Sequence, residues 1–171
     1  MTATNNNHLT IFIVEDNEMF AETLKIAVEN MGYSTRVFHS GEQMIFSWDE
    51  DPAMILLDYF IESPQGVAMN GNKILQFVRR ISRNLPVVVL TSNTDVSQAT
   101  EMLKLGAVDF IIKDEELLPN LTKTMTQVFE TVRIREAMAN NRMKIKKYRQ
   151  RILIVVLIVA LAAVTVLWIT S

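Results

Sequence analysis

The sequence predicts an α/β fold, a doubly wound five-stranded parallel sheet with helices on both faces. Five strand-like apolar runs alternate with helical patterns over residues 9–132, the order that builds a parallel sheet with right-handed crossovers. The central run Ala53-Met54-Ile55-Leu56-Leu57 is apolar without alternation, as a strand buried on both faces is. At 171 residues, 49% of them hydrophobic, the chain has enough apolar material for one sizeable core and an additional segment.

The first strand covers residues 9–14, apolar apart from Thr10, and ends in Glu15-Asp16. A helix follows over 17–31, with Phe20, Leu24, Ala27, Val28 and Met31 at helical spacing and Gly32 placed as a C-terminal cap. Residues 34–38 mix Thr, Arg and Val, which suits a partly exposed edge strand. Ser40 then N-caps a short helix whose inner face is Met44, Ile45 and Trp48. The third strand, 53–57, ends in Asp58. A loop rich in turn pairs, Ser63-Pro64, Gln65-Gly66 and Asn70-Gly71, leads to a helix over 72–83 with Ile74, Leu75, Phe77, Val78 and Ile81 apolar. Pro86 introduces the fourth strand, 87–90, which ends at Thr91-Ser92. A helix over 95–105 stops at Gly106, and Phe110-Ile111-Ile112 forms the last strand before Lys113. The fifth helix directs Leu118, Leu121, Met125, Val128 and Val132 at the sheet.

With strand order 2-1-3-4-5, strands one and three are neighbours and a crevice opens at their carboxyl ends. That order gathers Glu15, Asp16, Asp58, Thr91 and Lys113 on one edge. Three carboxylates so close repel one another unless a cation intervenes. Oxygen-only donors without His or Cys select a hard ion, and Mg2+ suits a site completed by waters and phosphate oxygens. An ionised Asp58 there is a nucleophile for phosphorus. Of the three phosphoryl oxygens, one would meet Mg2+, one the Thr91 hydroxyl and one the Lys113 ammonium.

On these landmarks, residues 9–132 resemble the receiver domain of two-component response regulators, similar in scale to the single-domain receivers of chemotaxis. The resemblance implies a (βα)5 flavodoxin-like fold. It implies that Asp58 accepts a phosphoryl group from a histidine kinase or phosphotransfer protein. Asp16, Asp58 and the backbone carbonyl of Phe60 would ligate Mg2+, with Glu15 acting through water. It also implies a switch, in which Thr91 moves toward the phosphoryl group and Phe110 turns inward. The chain departs from the family in its longer loop after Asp58 and in Asp114, which follows Lys113 where proline is frequent. No cis peptide is therefore expected there, and Asp114 is a competing partner for Lys113. There is no Gly-rich phosphate loop; Gly66 and Gly71 read as loop punctuation, and His8 and His39 as isolated, exposed side chains.

The net charge of −2 conceals an uneven distribution. Residues 1–132 hold 18 acids against 9 Lys and Arg, whereas residues 133–151 hold 8 Lys and Arg against the single acid Glu136. With no cysteine, disulfides and thiolate metal sites are excluded. Residues 1–8 are polar and Asn-rich, a disordered N-terminus without a secretory signal. In the basic neck, 133–151, Ile134, Met138, Asn141, Ile145, Tyr148 and Ile152 keep a 3-4 spacing that suits a homodimer seam with a polar register marker.

Residues 152–169 contain 13 Leu, Ile or Val and one ordinary polar residue, Thr165. At ~1.5 Å per residue the run covers about 27 Å, enough to span a bilayer with little tilt. Those Leu, Ile and Val residues favour insertion by on the order of 4–8 kcal/mol. The basic neck then reads as a topology signal and a contact with anionic lipid, not with nucleic acid. It places the acidic head on the cytoplasmic side of the inner membrane. The expected protein is a membrane-tethered receiver without an output enzyme, a switch that meets a membrane-associated effector. A phosphoryl sink or relay for a membrane sensor kinase, or a scaffold that never uses its aspartate, are the alternatives.

Overall fold

The computed structural model describes residues 9–49, 51–61, 70–92 and 96–170, the side chains of 96, 97, 99 and 155–170 excepted. The expected disordered residues 1–8, the turn pairs at 63–66 and His8 lie outside that set. Strands and helices alternate in the order β1 (Thr10–Val14), α1 (Glu18–Asn30), β2 (Ser34–Phe38), α2 (Gly41–Phe46), β3 (Met54–Asp58), α3 (Gly71–Ile81), β4 (Val87–Thr91), α4 (Val96–Lys104), β5 (Asp109–Ile112) and α5 (Leu117–Thr170). The five strands form one parallel sheet in the order β2-β1-β3-β4-β5. The crevice between β1 and β3 follows from that order.

The register explains why the functional side chains leave the sheet together. Val14 lies opposite Leu57, Asp58 opposite Leu90, and Thr91 opposite Ile112. One residue beyond these pairs the strands emerge from the core, so Glu15, Asp58, Thr91 and Lys113 occupy one edge. β3 and β4 are buried along their whole length, as is β1 from Ile11 onward. Each fully buried Ile, Leu or Phe contributes about 1.5–3 kcal/mol, and this central layer holds the strand ends at fixed height. β2 is the partly exposed edge, where Arg36 pairs with Asp49 and lies over the rings of Phe12 and Phe38.

Helices α1, α2 and α3 begin at side-chain caps. Asn17 Oδ1 accepts the Phe20 amide hydrogen, Ser40 Oγ that of Gln43, and Asn70 Oδ1 that of Lys73, at 3.0, 3.1 and 3.2 Å. Gly32 ends α1 with φ +87°, the left-handed conformation a helix stop favours. The inner face of α5 keeps Leu121 and Met125 of the sequence expectation, leaves Val128 and Val132 half-buried and corrects Leu118. It is formed by Leu117, Leu121, Thr124 and Met125, while Leu118 is exposed. Thr124 fits there because its hydroxyl donates to Asp109 Oδ2 at 3.1 Å. Ile81, expected inside, is the last residue of α3 and is half-exposed.

The chain divides into two compact units, one through Val128 and one from Phe129. In the second, helix α5 includes the neck, and Arg133 to Ile154 are exposed. Among the described residues no helix is long and apolar enough to cross a membrane. The apolar run at 152–169 falls, from residue 155 on, outside the side chains so described.

Candidate functional site

β1 and β3 deliver three carboxylates to the crevice. One ligand oxygen from each of Glu15, Asp16 and Asp58 lies within 4.8 Å of the others. Glu15 and Asp58 are almost completely buried, at 1% and 3% exposure. Lys113, reaching over from the end of β5, sets its ammonium 2.7 Å from Glu15 Oε2 and 2.8 Å from Asp58 Oδ2. The same Nζ lies 4.5 Å from the centre of the Phe20 ring, so α1 supplies a π face beneath the cation. The local backbone assists: the Phe60 amide donates to Asp58 Oδ1 at 3.2 Å and the Asn17 amide to Glu15 Oε1 at 3.3 Å.

Burial pushes both the Glu15 and Asp58 carboxyls up from their usual range, and the hydrogen bond from Lys113 pulls each part of the way back. The repulsion of Asp58 adds to the rise at Glu15, as that of Asp16 does at Asp58. Three carboxyl groups here share one lysine ammonium. An all-oxygen donor set of this kind fits a hard divalent cation.

The remaining expected residues occupy distinct positions around the cluster. Thr91 is buried at the end of β4, and its carbonyl accepts the Lys113 amide hydrogen at 2.8 Å. Phe60 follows Asp58 by two residues and is half-exposed, its ring edge-on to Tyr59 with centroids 4.7 Å apart. Phe110 is not at the cluster. It pairs with Val89, two residues below Thr91, and packs half-buried against the core. Asp114 does not compete for Lys113: its Oδ1 accepts the Glu116 amide hydrogen at 2.9 Å and forms the turn into α5. The described peptide bonds are trans.

Three neighbours of the site escaped the sequence reading. His39 is exposed but not isolated, because its Nδ1 lies 3.0 Å from the Glu15 carbonyl; a carbonyl only accepts, so Nδ1 carries the hydrogen. Gly71 is more than punctuation. A Cβ there would meet Tyr59 Cα and O at 3.1 Å and Asp58 O at 3.2 Å, so glycine lets the start of α3 approach the Asp58 turn without pushing its backbone aside. Phe20, read as core, forms the floor under Lys113. The position of His39, directly after a strand that ends on the same edge, was the available signal for it.

A family model described as "Response regulator receiver domain" matches residues 11–130. The chain belongs to the response regulator receiver family. Receivers are signalling switches, phosphorylated on an aspartate in two-component signalling, and not separate enzymes. The receiver is 29% identical over 121 residues to the uncharacterized transcriptional regulatory protein YkoG of Bacillus subtilis, covering 68% of this chain and 51% of that protein. It is 31% identical over 108 residues to the transcriptional regulatory protein FixJ of Rhizobium meliloti, covering 63% and 50%. The chain thus spans about half the length of these curated relatives. The solved receiver domain of NtrX from Brucella abortus shares the fold, with a TM-score of 0.64 and 23% identity over 71% of this chain and 98% of that one.

Proposed function

We propose that the protein is a membrane-tethered receiver phosphorylated on Asp58. The observation that carries the reading is the bridge from Lys113 to both Glu15 and Asp58 beside Asp16. A donor histidine kinase or phosphotransfer protein presents a phosphohistidine. An Asp58 carboxylate oxygen attacks phosphorus, a P–O bond forms, the P–N bond breaks and the imidazole leaves. Mg2+, held by Asp16, Asp58 and the Phe60 carbonyl with Glu15 acting through water, would supply charge neutralisation for the incoming phosphoryl group. Lys113 then exchanges its Asp58 contact for a phosphoryl oxygen while keeping Glu15, and Thr91 covers another oxygen. Phe110, half-buried two residues below, follows Thr91 inward and passes the change to the face of α4, β5 and α5.

The tether is the apolar run 152–169, with the basic residues nearest it, Lys146 to Arg151, against anionic lipid and the receiver on the cytoplasmic side of the inner membrane. A membrane-associated effector then reads the switched face. The test treats the full chain in detergent with Mg2+ and a small phosphodonor. One phosphoryl group is expected by mass, absent without Mg2+ and absent in Asp58→Asn. A gain that survives Asp58→Asn removes the assignment. Membrane fractionation of the full chain against a chain ending at residue 150 checks the tether; equal recovery in the soluble fraction would exclude it.

A further inference from the structure

The neck carries a seam whose flanks decide what can lie on it. Ile134, Asn141 and Tyr148 alternate with Met138, Ile145 and Ile152 at steps of four and three residues. In a heptad written abcdefg, the first set takes the d positions and the second the a positions. The five apolar members stand between 52% and 68% exposed on helix α5. The e positions are Arg135, Arg142 and Arg149; the g positions are Ala137, Lys144 and Arg151. None of these six is acidic, and the one acid of the neck, Glu136, falls at f, on the far side from the seam.

This arrangement bars a second copy of the chain. In a parallel pair the g residue of one helix faces the e residue of the next heptad on the other, which sets Lys144 against Arg149 twice over. An antiparallel pair sets e against e and g against g, where Ala137 is the one uncharged member and no acid meets a base. The seam itself offers little to offset that repulsion, since Asn141 and Tyr148 fill two of its six positions. The homodimer expected from spacing alone is therefore disfavoured by charge.

We infer that the neck is one half of a heterotypic coiled coil and binds an acidic amphipathic helix, with Glu or Asp at its e and g positions and a polar residue facing Asn141. Anionic lipid accounts for the basic residues nearest Ile152. It does not account for Arg135 and Arg142, which lie 17 and 10 residues before Ile152, about 25 and 15 Å along a helix and beyond a Debye length of ~8 Å. Nor does lipid require arginine at each e position at intervals of seven. This inference is independent of whether Asp58 is phosphorylated.

The experiment uses the full chain in nanodiscs of zwitterionic phosphatidylcholine, and in parallel in nanodiscs containing anionic phosphatidylglycerol, with three labelled three-heptad peptides and binding followed by fluorescence anisotropy. One peptide has Ile and Leu in its seam, Asn at one position, and Glu at every e and g. The second replaces those Glu residues by Lys, and the third scrambles the first at constant charge. The acidic heptad peptide is expected to bind at least tenfold more tightly than either control and to weaken with salt. A chain carrying Arg135→Glu, Arg142→Glu, Lys144→Glu and Arg149→Glu should reverse the preference. Equal binding of the scrambled peptide, binding confined to anionic nanodiscs, or a wild-type dimer in sedimentation would each overturn the inference. The peptide comparison on the unaltered chain keeps the test valid if the charge-swapped chain fails to fold.

Discussion

Lys113 and Asp58 meet at 2.8 Å although they arrive on strands separated by β4. The ammonium that pairs with Asp58 also serves Glu15, at 2.7 Å. Removing it leaves two buried carboxylates facing each other. Lys113→Ala should therefore destabilise the metal-free protein by about 3–5 kcal/mol at neutral pH. Urea unfolding of the full chain in detergent checks this, and Glu15→Gln added to Lys113→Ala should recover part of the loss.

Asp58→Asn should act in the opposite direction when no metal is bound. Burial raises the folded-state pKa of Asp58 above its ordinary value of 3.8. Its contribution to stability is then fully present below the unfolded pKa and is lost as pH rises through the raised folded value. In EDTA the variant and the native chain should unfold at similar urea concentrations near pH 4. Toward pH 8 the variant should become the more stable. Mg2+ should stabilise the native chain and leave the variant unmoved.

Gly71→Ala tests how closely α3 approaches the Asp58 turn. The added methyl would meet backbone atoms of Tyr59 and Asp58 at 3.1–3.2 Å, and backbone yields less readily than a side-chain tip. Overpacking of this kind costs about 1–3 kcal/mol. Because the displaced atoms carry Asp58, phosphorylation by a small phosphodonor should slow with the stability loss, whereas Gln76→Ala on the exposed face of α3 should alter neither.

Arg79 ties two turns together at the opposite edge of the sheet. Its guanidinium donates twice to the Gly106 carbonyl, at 3.2 and 2.7 Å, and to the carbonyls of Ser82 and Leu85 at 3.2 and 2.8 Å. Arg79→Ala should cost about 2–4 kcal/mol through the carbonyls left without donors. Arg79→Lys should recover little, since a single ammonium cannot reproduce the planar fork. Thermal unfolding of both variants decides it.

The parts of the site that the sequence disclosed are those fixed by chain connectivity. A buried strand must end, and the residue just past its end is visible in the sequence; Glu15, Asp58, Thr91 and Lys113 were readable for that reason. Arg79 was not, because beside Arg80 it looks like half of a solvated basic pair, and its partners are backbone carbonyls brought near only by folding. Gly71 depends on a distance of closest approach that no local pattern encodes. Of the Leu117-Leu118 pair the 3-4 spacing selected Leu118 where the fold buries Leu117, and Thr124 obscured the true face because its hydroxyl finds its partner, Asp109, on another element.

The bridge between Glu15 and Lys113 spans 98 residues of sequence, and this has a consequence for biosynthesis. A nascent chain that has emerged only as far as β4 can align β1 and β3, yet it brings their acids together before Lys113 has arrived to separate them. The last strand to leave the ribosome is the one that relieves that conflict, so docking of β5 should complete the sheet and make the aspartate competent in a single event.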